Sequence, residues 1–177
     1  MSGSAAVRSS TESGHESSEL SCPYDVGMSA AVRFEVRTSF DAPPRRVWDE
    51  MIDWKGHEAW IPATRVVVSE GDATAVGSEF TAFTGYRPLV LEDRMRITRC
   101  AWDDTTSTGD CEVEKLGPVL RGRAGFTVKP EGGGCVVVWI EDVTVPFAPG
   151  FTAPVVVKLG SAGFKLAMRK LAKIVAA

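Results

Sequence analysis

Glu141 and Asp93 are the residues of this chain best placed to do chemistry. In CVVVWIEDVTV, residues 135–145, strict alternation puts Glu141 on the face of Val137, Trp139, Val143 and Val145. The register that buries most apolar surface therefore carries a carboxylate inward. A buried carboxylate costs several kcal/mol unless it is paired or protonated. Lining a pocket raises its pKa, and a carboxylate tuned toward neutrality can act as a general base. The competing reading pairs Glu141 with an arginine such as Arg94, Arg96 or Arg99. Asp93, on the face of Met95 and Ile97, is a second inward carboxylate with the same two readings. Tyr86, with Arg87 beside it, follows a predicted strand, where its hydroxyl can polarise a carbonyl.

Other polar groups carry less. His57 sits in a Lys-Gly-His turn between predicted helices, where a histidine is more often solvated than catalytic. Ser161 lies between glycines in GSAG but mid-helix, without the spacing of a nucleophile elbow. Gly132–Gly134 is a turn rather than a phosphate loop, since no Gly-Lys-Ser/Thr follows. Cys22, Cys100, Cys111 and Cys135 form no Cys-x-x-Cys pair, and only His15 and His57 are available beside them. No metal site and no cofactor is expected. Cys100 and Cys111 lie on candidate neighbouring strands, but reduced thiols are the expectation. The chain contains no asparagine and no glutamine. A Cys-His-Asn triad and a side-chain amide in an oxyanion hole are therefore ruled out.

Composition narrows the class. An apolar share of 44% and a charged share of 24% describe an ordinary globular domain, and no apolar run is long enough to span a bilayer. The net charge of −3 argues against a general nucleic-acid binder. The start lacks the positive-then-apolar pattern of a secretory leader, so a cytoplasmic protein is expected. Residues 1–30 hold Ser, Thr, Glu and Gly with few large apolar groups, which predicts a disordered tail before a domain over 31–177.

The elements that position these groups follow in order. Val32–Phe40 alternates, with Val32, Phe34, Val36, Thr38 and Phe40 on one face, as a half-buried strand does. In DAPPRRVWDEMIDWKGHEAWIP, residues 41–62, Asp41 can cap a helix, and Pro43 and Pro44 fit its first turn. Val47, Trp48, Met51 and Ile52 then recur at helical spacing, Trp54 and Trp60 bracket a Lys-Gly-His turn between two short helices, and Pro62 stops the segment. Strands are predicted over 65–70, 78–85, 88–101, 111–116, 120–129 and 135–145, with a Gly-rich hairpin at 131–134. From Thr152 the period becomes helical. Val157, Gly160, Phe164, Ala167, Met168, Leu171, Ile174 and Val175 form one stripe opposite most of the lysines. Antiparallel strands with helices at both ends make an α+β fold. Its six- to seven-stranded curved sheet grips the long terminal helix, and two short helices follow the first strand.

These motifs, with VGSEF at 76–80 and VLRGRAGFTVKPEGGGCVVVWIEDVTVP at 119–146, resemble the helix-grip, Bet v 1-like superfamily (SRPBCC/START-like), in particular its polyketide cyclase/dehydrase branch. The resemblance covers about residues 31–177. It implies a pocket between the sheet's concave face and the terminal helix. By alternation its lining includes Val36, Thr38, Phe80, Met95, Ile97 and Phe126, with Trp139, Phe164 and Met168, while Trp54 and Trp60 close one end. The expected function is binding of a hydrophobic or aromatic small molecule, lipid- or polyketide-like. The alternative is a polyketide cyclase- or aromatase-like enzyme in which Glu141 or Asp93 moves a proton α to a carbonyl and Tyr86 steadies the enolate. A protein-interaction module of the Hsp90 co-activator type is the third class. The expected partner is the small molecule, with no nucleic acid, no integral membrane association, and a monomeric or homodimeric state.

Overall fold

The computed structural model describes residues 29–146 and 148–176. Of the tail expected over residues 1–30, the first 28 lie outside that range, while Ser29 and Ala30 open the first strand, with Ala30 buried. Seven strands form one antiparallel sheet: β1 (Ser29–Phe40), β2 (Thr64–Val68), β3 (Glu79–Tyr86), β4 (Leu89–Asp103), β5 (Thr108–Leu116), β6 (Arg121–Glu131) and β7 (Gly134–Pro146). Their order across the sheet is β1-β7-β6-β5-β4-β3-β2. Helices α1 (Pro44–Ile52) and α2 (His57–Trp60) link the two edge strands. After a 3-10 turn at Gly150–Thr152, α3 (Ala153–Val175) lies along β1 and reaches α1 and α2. This is the helix-grip arrangement expected from the pattern of elements.

The local reasons are readable. Along β1 the inner positions are Ala30, Val32, Val36 and Phe40, all buried, alternating with exposed neighbours. Pro44 stands in the first turn of α1, where a missing N–H costs nothing. The expected cap by Asp41 does not form. The cap position is Pro43, with no side-chain hydrogen bond, and proline in the first turn removes a donor that a cap would serve. Thr152 does occupy the cap position of α3, but its hydroxyl donates to the Pro149 carbonyl instead (2.7 Å). The hairpin at 131–134 turns on Gly132, whose φ of +59° suits glycine.

Aromatic packing fills the half of the grip nearest α1 and α2. Trp54 stacks on Phe80 with centroids 4.3 Å apart, and Phe126 stacks on Trp139 at 5.5 Å. Trp139 in turn meets Phe164 of α3 at 4.6 Å. Trp48 lies over Gly109, where any side chain would collide with its ring. His57 is a correction to the solvated turn expected for it. It is buried between Trp54 and Trp60, and burial pushes its pKa down to about 4. The neutral ring donates from Nε2 to the Met51 carbonyl (2.9 Å), which ties α2 to α1.

The other half is looser. Burial along the α3 stripe rises toward its C-terminal end, where Ala167, Met168, Leu171 and Val175 are buried. Toward the N-terminal end Val157, Gly160 and Phe164 are half-buried, while Val155 and Leu159 face outward and exposed.

Candidate functional site

Three ionisable side chains meet on the inner face of the sheet. Asp93 comes from β4, Lys115 from β5 and Glu141 from β7. The Lys115 ammonium lies 2.5 Å from Asp93 Oδ2 and 3.6 Å from Glu141 Oε1. Trp139 donates from Nε1 to the same Glu141 oxygen at 3.2 Å. Only 4% of the Lys115 side chain and 5% of the Glu141 side chain are exposed, against 13% for Asp93.

Backbone register explains how β5 and β7 can share a contact with β6 between them. Lys115 pairs with Gly122, and Gly122 pairs with Val143, while Ala124 pairs with Glu141. Two small residues of β6 thus form a trough that the lysine stem crosses. Gly122 is required there twice over. Its φ is +127°, and an added Cβ would fall 2.4 Å from the Asp142 carbonyl oxygen. On the other side, Lys115 pairs with Met95, and Asp93 stands two residues along the same face of β4.

Electrostatics sets the protonation of the cluster. Burial raises the Glu141 pKa above the ordinary carboxylate range, and the neighbouring Asp93 charge adds to this. The Lys115 ammonium and the Trp139 N–H offset only part of it. Burial alone would lower the Lys115 pKa, but Glu141 and Asp93 outweigh it and hold the ammonium above its usual value. Two carboxylates facing one ammonium leave the cluster with a surplus negative charge or one retained acid proton.

The arginine partners considered for Glu141 are corrected by this geometry. Arg94 and Arg96 lie on the outer face and grip Glu79, while Arg99 pairs with Asp110. Lys115 is the site residue that strand pattern alone did not single out. The signal was nonetheless present, because in CEVEKL the lysine shares its face with Cys111 and Val113.

The remaining candidates divide by depth. Val36, Trp54, Trp60, Phe80, Met95, Ile97, Phe126, Trp139 and Met168 are buried in one continuous core, and Thr38 and Phe164 are half-buried. Tyr86 is not brought to the carboxylates. It is 79% exposed at the tip of the β3–β4 hairpin, opposite Leu89. Asp93 lies four residue steps along β4 from Leu89, or ~13 Å at strand rise. Between tip and cluster the inner face is thinly covered, with Ala82, Thr84 and Leu91 half-buried and Leu89 exposed. This strip of half-buried and exposed residues runs along the inner face from the hairpin tip to Asp93.

Two further features lie apart from the cluster. A groove of about 810 Å³ at the β2–β3–β4 edge is lined by Thr64, Arg65, Phe83, Tyr86, Val90 and Glu92, and none of its lining side chains is buried. Cys100 and Cys111 sit directly opposite one another on β4 and β5, and both are free thiols, as is Cys135. Among the described residues no group of His, Cys, Asp and Glu is arranged to hold a metal. No described helix is long and apolar enough to cross a membrane.

Comparison with known proteins agrees with this architecture. The family model described as polyketide cyclase / dehydrase and lipid transport matches residues 31–176. A search of curated proteins returns no match. Among solved structures, protein CV1439 from Chromobacterium violaceum superposes with a TM-score of 0.58 at 16% identity, covering 82% of this chain and 97% of that one. Ara h 8.0201 superposes with a TM-score of 0.55 at 20% identity, covering 83% and 99% respectively. At such identities these two likenesses speak to the fold alone.

Proposed function

Because the chain belongs to the polyketide cyclase/dehydrase and lipid transport family, we propose that it binds a lipophilic small molecule between the concave sheet and α3. The observation that carries this reading is the uneven filling of the grip. One half is closed by stacked aromatics, while the other leaves the inner face of the β3–β4 hairpin and the N-terminal half of α3 thinly covered. An apolar concavity with a few convergent polar groups at its base is the usual form of a small-molecule site. Phe34, Leu91, Val157 and Phe164 supply apolar wall, and Asp93, Lys115 and Glu141 supply the polar base. Trp54 and Trp60 brace the closed end.

A second reading is favoured by the carboxylates themselves. Glu141 is buried, held above its ordinary pKa, and adjacent to an ammonium that can steady a developing enolate. That pairing suits proton abstraction α to a carbonyl, the step a polyketide cyclase or dehydratase needs. In this reading Glu141 is the base, Lys115 the electrostatic partner, Asp93 the group that holds the lysine, and Tyr86 a rim contact.

Native mass spectrometry of the purified protein tests the binding reading. A retained small molecule, or stoichiometric uptake of a lipophilic dye after delipidation, is expected. Delipidated protein that takes up no lipophile would overturn it. For the enzymatic reading, Glu141→Gln should abolish turnover of a polyketide-like substrate while leaving its binding intact.

A further inference from the structure

The polar base of the cavity constrains the ligand's head. Its three charged groups, Asp93, Lys115 and Glu141, include four carboxylate oxygens and one ammonium. Lys115 satisfies Asp93 Oδ2, and Trp139 satisfies Glu141 Oε1. Asp93 Oδ1 is sealed from solvent and has no hydrogen-bond partner. An ionised oxygen buried without a donor is costly, so the site gains most from a group that brings an O–H or N–H to it. Asp93 is also the most exposed member of the cluster and the one nearest the hairpin tip. A head group travelling down the strip of Leu89 and Leu91 meets it first.

Charge points the same way. An incoming carboxylate or phosphate would add negative charge beside two carboxylates that share one ammonium, in a region sealed from water where like charges repel strongly. The ammonium of the cluster, Lys115, is already held by Asp93 and Glu141. A hydroxyl or an amine meets no such penalty and supplies the missing donor.

We infer that the ligand is a lipophile whose buried head is a hydrogen-bond donor without negative charge, an alcohol, phenol or amine, received by the Asp93 carboxylate. This rests on the cavity reading above and adds the class of head group to it.

The test displaces the neutral dye N-phenyl-1-naphthylamine from delipidated protein with three probes of equal chain length: 1-dodecanol, dodecylamine and dodecanoate, each below its micellar concentration. The alcohol and the amine are expected to displace the dye at concentrations at least about tenfold lower than dodecanoate. An amine well ahead of the alcohol assigns the surplus charge to the cluster, and equal affinities assign it a retained proton. Both outcomes support the inference. In Asp93→Asn, shown by circular dichroism to be folded, the three probes should converge. Dodecanoate binding as tightly as the other two in the wild-type protein would overturn the head-group assignment while leaving the cavity intact. A preference that survives Asp93→Asn would remove Asp93 as the acceptor. If neither the dye nor any of the three probes binds, the cavity reading falls with it.

Discussion

Lys115 is held in the interior by two carboxylates, and that arrangement makes its removal more damaging than its addition was favourable. A buried pair broken from one side leaves an uncompensated charge, typically at a cost of ~3–5 kcal/mol. Lys115→Met should therefore lower stability by about 3 kcal/mol near neutral pH in urea unfolding. The deficit should shrink as pH falls, where Glu141, with its raised pKa, takes up a proton. Glu141 follows the sign of a raised acid. Its native form holds the proton more tightly than the unfolded chain does. Its contribution is thus fully present below the ordinary value of 4.5 and is lost as pH rises through the folded value. Glu141→Gln should flatten that decline. His57 has the opposite sign. Depressed to about 4 by burial, it contributes stability above 6.5 that is lost as pH falls toward 4, about 3 kcal/mol in all. His57→Phe should remove most of that acid sensitivity, read from unfolding midpoints between pH 4 and 7.

At the scale of elements, the glycines report where helices meet strands. An added Cβ at Gly109 of β5 would lie 2.1 Å from Trp48 of α1, so Gly109→Ala must push the indole out of its seat. Overpacking of that kind costs about 2 kcal/mol and should alter the tryptophan fluorescence. The two α3 glycines should behave differently from each other. Gly163 faces open space, so Gly163→Ala should stabilise by about 0.5–1 kcal/mol through helix propensity alone. At Gly160 the new methyl would meet the Phe34 ring at 3.0 Å, and much of the same gain should be lost. Elements were also what the sequence revealed best. The alternation of β1 and β7, the tryptophan-rich turn between α1 and α2 and the apolar stripe of α3 all follow from residue period. The meeting of Lys115 with Glu141 does not, because it depends on register across three strands. A bulge in β4 between Ile97 and Arg99 likewise shifts the β4–β5 register that sets Asp93 beside Lys115, and Gly122 reads from sequence only as a flexible residue. Depth was similarly hidden. Period places Tyr86 and Asp93 on related strands, but only the hairpin geometry separates tip from base.

Taken whole, the grip is closely packed at one end and thinly covered at the other. The aromatic end fixes the sheet on α1, α2 and α3, and the hairpin end exposes an apolar strip that leads to a charged floor. The five lysines and arginines of α3 are all exposed, on the side away from the sheet, so the cavity's charge is set by strands rather than by the helix. The most direct test is photolabelling with a diazirine-bearing alkyl alcohol, followed by peptide mass spectrometry. Saturable labelling within residues 89–95 and 157–164, blocked by excess 1-dodecanol, is the predicted result. Labelling around Arg65 and Phe83 of the outer groove with none in residues 157–164, or labelling that does not saturate, would contradict a ligand site between sheet and α3.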